Sequence, residues 1–151
     1  MPPFRGFLLC GPLDPPKVNV MRSNETIEQI NADGLMPPRG KYSHVTIAHG
    51  TAYISGQLPV NSEGEPVTSE SFAVQAKQTL SNLDACLASA GLKRTSLVQV
   101  RVYLTDLAHW KEFDEIYGEW IGSHRPARAV AGVNALNHGA ALEMEATAVV
   151  D

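Results

Sequence analysis

Near the C-terminal end of this sequence one arginine, Arg128, stands in the otherwise apolar run PARAVAG, and two glutamates, Glu143 and Glu145, follow in LEMEATAV. An arginine among alanines and valines either satisfies a neighbouring carboxylate or waits for a ligand that carries one. Its planar fork suits both tasks, because it grips a carboxylate through two parallel hydrogen bonds. The first alternative is the commonest fate of a part-buried arginine, and it would pair Arg128 or Arg101 with Glu145.

Other chemistries find little support. The five histidines are scattered and form no metal-binding spacing, so no metal is expected. Cys10 and Cys86 are too few for a disulfide framework, and Cys86 sits in a helical pattern that predicts an inert, buried thiol. A net charge of −4, with Lys93-Arg94 the only adjacent basic pair, argues against nucleic-acid binding. No apolar run reaches the roughly 20 residues that span a bilayer. The start, MPPFRGFLLCGPL, imitates a signal peptide only faintly, because Gly11 and Pro12 cut the apolar stretch and no small-residue cleavage site follows. A cytoplasmic protein is expected.

Two elements must position the arginine and the glutamates. The turn-like NHG between them predicts a hairpin of strands around Ala127–Leu136 and Ala141–Val150. In that register Arg128 opposes Thr147, Val130 opposes Glu145 and Gly132 opposes Glu143, all on one face. Upstream, residues 1–24 read as a proline-rich extension and 25–151 as one domain. An entry strand leads to a hairpin around His49-Gly50. A helix from about Glu70 to Ala90 buries Phe72, Ala76, Leu80, Leu83 and Leu87, is capped by Ser69 or Thr68 and stops at Gly91. The next strand points Val98, Val100, Val102 and Leu104 to the core, and a second helix, from about Leu107 to Ile121, buries Trp110, Phe113, Tyr117 and Trp120. The order predicts an α+β fold, one mixed sheet with both helices on one face. The other face, expected to bear Val130, Gly132, Thr147 and Val149, needs cover from other copies of the chain.

Taken together and in this order, YISGQLP, the AGL closing the first helix, VYLTDL, PAR and LEMEATAV resemble the RidA/YjgF family of enamine/imine deaminases. The resemblance spans about Glu25 to Val150 and implies a chorismate-mutase-like fold, a homotrimer and ligand clefts between subunits. It implies a hydrolase acting on C=N bonds, which converts reactive 2-imino acids such as 2-iminobutanoate and 2-iminopropanoate to 2-oxo acids and ammonia. In that reading Arg128 binds the substrate carboxylate and Glu143 positions the attacking water. Gly56 and Val130 orient ligand and water through their backbone, Tyr42 covers the ligand, and Ser55 lines the same loop. Asp114 stands where the family often has asparagine, and Ala129-Val130 where it often has Ser-Cys. No cofactor is required, because a protonated imine is already electrophilic at carbon. A non-enzymatic carboxylate binder, a chaperone-like relative or an aminomuconate-type deaminase are the alternative readings. The translation-inhibitor or ribonuclease reading of some relatives sits poorly with the acidic charge.

Overall fold

The computed structural model describes residues 26–150; the segment 1–24, with Cys10, lies outside them. Six strands and two helices follow in the order β1 (Glu28–Ile30), β2 (Val45–Ala48), β3 (Thr51–Gln57), α1 (Phe72–Ser89), β4 (Leu97–Leu104), α2 (Trp110–Ile121), β5 (Ala127–Gly132) and β6 (Leu142–Val149). They form one mixed sheet in the order β1-β2-β3-β6-β4-β5.

The hairpin β2–β3 turns where the sequence predicts. Ala48 pairs with Thr51, and His49 and Gly50 both take positive φ, 51° and 70°. Two successive left-handed residues match the twist of the flanking strands. Helix α1 buries all five residues of its predicted stripe. Its cap is Ser71, later than the expected Ser69 or Thr68: the Ser71 hydroxyl accepts the Val74 N–H at 3.4 Å. Gly91, at φ 70°, ends the helix as expected while Leu92 N–H donates back to Leu87 O at 2.8 Å. Cys86 is fully buried between the layers, and burial pushes its thiol up to about 12, which leaves it unreactive.

Three expectations need correction. In β4 the register against β6 shifts between Leu97 and Gln99, so Val98 is the bulged residue. Leu97 takes the core position and Val98 stays 44% exposed. In the second helical segment a single 3-10 turn, Leu107–His109, precedes α2, and Trp110 opens that helix exposed rather than buried. Phe113, Tyr117 and Ile121 make its core face.

The third correction moves the candidate site. β5 and β6 do not form a hairpin. β5 lies at the sheet edge, parallel to β4, with Val100 opposite Arg128, Val102 opposite Val130 and Leu104 opposite Gly132. β6 instead inserts between β3 and β4, antiparallel to both. The cause lies in α2. A helix that follows a strand carries the chain back along the sheet, so the next strand enters in the original direction and pairs in parallel. The strand with the more apolar inward face, Leu142, Met144, Ala146 and Ala148, then takes the centre, where all four are buried. Val130 and Gly132 therefore lie on the helix-covered face with Val102 and Leu104, not on the open one. A Cβ on Gly132 would touch Leu107 at 3.2 Å.

The open face carries Tyr53, Gln99, Arg101, Tyr103, Glu143, Glu145, Thr147 and Val149, since each is in register with another of the set or alternates with buried neighbours. On the helix side, Arg94 donates to both oxygens of Asp84 at 2.8 and 2.6 Å, and the Trp120 indole N–H donates to the same carboxylate at 2.9 Å. One member of the Lys93-Arg94 pair is thus part of a tie between α1 and α2.

Candidate active site

Glu143 projects from the centre of the sheet towards the one irregularity in β3. Pairing of β3 with β6 slips between Ile54 and Gln57, which leaves Ser55 and Gly56 out of the regular ladder. Ser55 is held there twice: its hydroxyl donates to Ser43 O at 2.7 Å and its N–H to His44 O at 2.9 Å. Gly56 lies directly against the Glu143 carboxylate, and a Cβ at that position would collide with Oε1. The absence of a side chain at Gly56 is what lets the carboxylate approach the β3 backbone.

The electrostatics favour a proton acceptor. Burial raises the Glu143 pKa above its ordinary 4.5, and the neighbouring charge of Glu145 raises it further. Glu145 itself is bridged by Arg101 at 2.9 Å. Glu143 makes no ion pair among the described residues, and Tyr103 is its cross-strand neighbour on the open face. The two glutamates of LEMEATAV therefore have different environments: one is neutralised by an arginine, the other is half-buried beside a like charge.

Arg128 points elsewhere. Its register with Val100 turns it to the helix side, where Nη2 meets Asp114 Oδ1 at 2.7 Å and the guanidinium lies over the Tyr117 ring at 4.9 Å from its centroid. A cavity of about 400 Å³ opens there, lined by Arg128, Asp114, Tyr117, His124 and Arg125. The Tyr117 hydroxyl is buried and has no hydrogen-bond partner among the described residues. Asp114, which stands where the resembling family often has asparagine, faces the arginine.

The residues singled out in the sequence thus fall into two groups. Gly56 and Glu143 meet, with Ser55 next to Gly56 in the chain, and Tyr42 lies with Gly56, His44 and His138 along a second cavity of about 240 Å³. Arg128 and Asp114 form the other group, and Val130 packs against the core behind them. The expected pairing of Arg128, Val130 and Gly132 with Thr147, Glu145 and Glu143 does not occur. Glu143 is two strands and three residues away from Arg128, about 14 Å between Cα atoms at ordinary strand spacings, and on the opposite face. Arg101 is the arginine that pairs with Glu145.

Tyr117 is the site residue that sequence reasoning assigned only to the core. Its ring does face the core, and no pattern in the sequence shows that Arg128 will lie on it. Among the described residues no group of His, Cys, Asp or Glu side chains is arranged to hold a metal ion, and no helix is long and apolar enough to cross a membrane.

The chain and its fold are similar to those of known proteins. Residues 34–150 match the family described as Endoribonuclease L-PSP. A RutC family protein of Aquifex aeolicus is 40% identical over 114 residues, 74% of this chain and 90% of the relative. The human 2-iminobutanoate/2-iminopropanoate deaminase is 36% identical over 110 residues, 73% of this chain and 80% of the relative. The crystal structure of yeast Mmf1 superimposes with a TM-score of 0.78 at 32% identity, covering 83% of this chain and all of that one. With its mixed sheet, its two helices on one face and its glutamate against the β3 glycine, the chain belongs to the Endoribonuclease L-PSP family, the RidA/YjgF proteins of chorismate-mutase-like α+β fold.

Proposed function

We propose that this protein hydrolyses short 2-imino acids to 2-oxo acids and ammonia, in sites that two subunits of a homotrimer build together. The observation that carries the reading is the pair of environments just described. Glu143, with no ion-pair partner among the described residues, is a half-buried carboxylate of raised pKa, and Arg128 is a cavity-lining guanidinium on the other face of the same sheet. One chain cannot bring both to one small ligand. Two copies can, if the exposed edge strand β5 of one meets the open face of the next. The human relative's name supports the chemistry.

The chemistry needs few groups. Arg128 anchors the substrate carboxylate and fixes the imine carbon. Glu143 accepts a proton from a water whose oxygen attacks that carbon, and the C=N bond becomes a C–N single bond in a tetrahedral intermediate. Glu143 returns the proton to nitrogen; the C–N bond then breaks with its electron pair leaving on nitrogen while the hydroxyl oxygen forms C=O and gives its proton back to Glu143, so that ammonia and the 2-oxo acid are released. The backbone around Gly56 and Val130 orients water and ligand, and Tyr42, 57% exposed in the single chain, covers the ligand once a neighbouring copy is present. Incubation with a freshly generated 2-imino acid tests the reaction: ammonia is expected to appear faster than by spontaneous hydrolysis, and an unchanged rate would refute it.

Assembly has its own test. β5 is an edge strand whose Ala127, Ala129 and Ala131 are exposed, and the open face adds Tyr53 at 53% and Val149 at 43% exposure. Uncovered edges and apolar faces of this kind favour association. Light scattering at micromolar concentration is expected to give three times the 16.3 kDa of the chain. A monomeric mass would remove the basis for a shared site.

The pH dependence follows from Glu143. Only the carboxylate accepts a proton, so activity falls as pH drops through its pKa, and that acid limb of kcat/KM is expected above 4.5. Glu145→Gln removes the like charge and frees Arg101 nearby; both changes favour the ionised form, so the limb should move to lower pH. A limb that Glu145→Gln leaves in place would assign the proton acceptor to another group.

A further inference from the structure

Arg128 is already occupied. Asp114 and Tyr117 lie three residues apart on α2 and so share one face of that helix. Together they frame the guanidinium, the ring beneath it at 4.9 Å and the carboxylate at its side at 2.7 Å. The two contacts differ in how easily they break. Tyr117 is buried and fixed by the core, whereas the Asp114 side chain is 54% exposed. A ligand carboxylate that takes the fork through both its donors meets Asp114 as a rival of the same charge, and Asp114 can swing into water. Tyr117 remains as the platform.

We propose that Asp114 is a built-in competitor for Arg128, a residue that weakens the hold on every ligand carboxylate, substrate and product alike. This rests on the reading of Arg128 as the carboxylate anchor. Substrate and product share the carboxylate, so the competition falls on both. Once ammonia has left, the product is still anchored at Arg128 by that carboxylate. Asp114 then reclaims the guanidinium and the 2-oxo acid leaves. Asparagine at this position would offer no charge to compete.

The test uses 2-oxobutanoate as the probe, with its affinity measured by titration calorimetry on the intact oligomer. An exposed ion pair contributes up to about 1 kcal/mol, which corresponds to about fivefold in affinity. Asp114→Asn and Asp114→Ala are both expected to bind the probe up to about fivefold more tightly than the parent, and to show stronger product inhibition and lower KM by a similar factor. Glu115→Gln removes the same charge from an exposed neighbour on α2 and is expected to leave the affinity unchanged. Unchanged or weaker binding in both Asp114 variants, with binding still abolished by Arg128→Ala, would overturn the competition and leave the deaminase reading standing. Equal tightening by Glu115→Gln would also overturn it, by reducing the effect to the overall charge of the helix. Probe binding that is absent throughout, or indifferent to Arg128→Ala, would overturn both readings.

Discussion

Arg128→Ala is expected to lower kcat/KM on a 2-imino acid by at least ten- to a hundredfold. A charge-assisted hydrogen-bonded pair contributes roughly 1.5–3 kcal/mol, and each decade corresponds to about 1.4 kcal/mol. The loss should appear in both KM and kcat, because the substrate loses its anchor and its alignment together. Arg128→Lys should recover little, since an ammonium reproduces neither the fork nor the stacking on Tyr117. Stability offers the contrast. The Asp114 side of the ion pair is 54% exposed, so its loss should cost no more than about 1 kcal/mol. Full activity in Arg128→Ala would return the residue to the simpler role of partner to Asp114.

Glu143→Gln is expected to lower kcat by roughly 10²–10⁴, the usual range for a lost general base, while the carboxylate of the probe still binds. An amide can orient a water but is a far poorer proton acceptor. Gly56→Ala is the companion experiment. The new Cβ would meet the tip of the Glu143 side chain, with the carboxylate oxygen nearest. A flexible tip yields more readily than backbone, so the fold should tolerate the methyl while the carboxylate moves away. The expected signature is a melting temperature close to the parent's together with a loss of kcat like that of Glu143→Gln. Parental turnover in both variants would remove Glu143 from the reaction.

The elements most legible in the sequence were those whose signal is local. Phe72 to Leu87 fixed α1 through spacing alone, and His49-Gly50 fixed the β2–β3 turn through backbone conformation. Gly91 and Gly122 marked the ends of α1 and α2 for the same reason, each at positive φ. Partner choice was not legible. A period of two shows which residues of β5 and β6 share a face within each strand, but it does not name the neighbouring strand. NHG looked like a hairpin turn, and His138 does adopt positive φ, 59°. Yet the β4-α2-β5 crossover had already committed β5 to β4. That one misassigned pairing put Arg128 on the wrong face and carried Val130 and Gly132 with it. Val98 failed for a related reason, because a bulge inverts alternation without any mark in composition. Of the two arginines the sequence offered to Glu145, Arg101 is the one that pairs with it, whereas the approach of Glu143 to Gly56 was not legible, because it depends on the slip in β3. The contact of Arg128 with Asp114 and Tyr117 depends on how α2 lies over the sheet edge, which residue order does not encode locally.

The claim that Arg128 and Glu143 of different copies complete one site can be measured directly by subunit mixing. Arg128→Ala and Glu143→Gln chains, each nearly inactive alone, would be unfolded together in equal amounts, refolded, and assayed for ammonia release from a 2-imino acid. In a randomly mixed cyclic trimer, about a quarter of the sites draw an intact Arg128 from one copy and an intact Glu143 from the next. The expected result is recovery of about a quarter of the parental rate in the mixture, and none when the two proteins are combined without unfolding and do not exchange subunits. A refolded mixture that forms mixed trimers yet stays as inactive as its parts would show that both residues must come from the same chain, and would contradict the shared site.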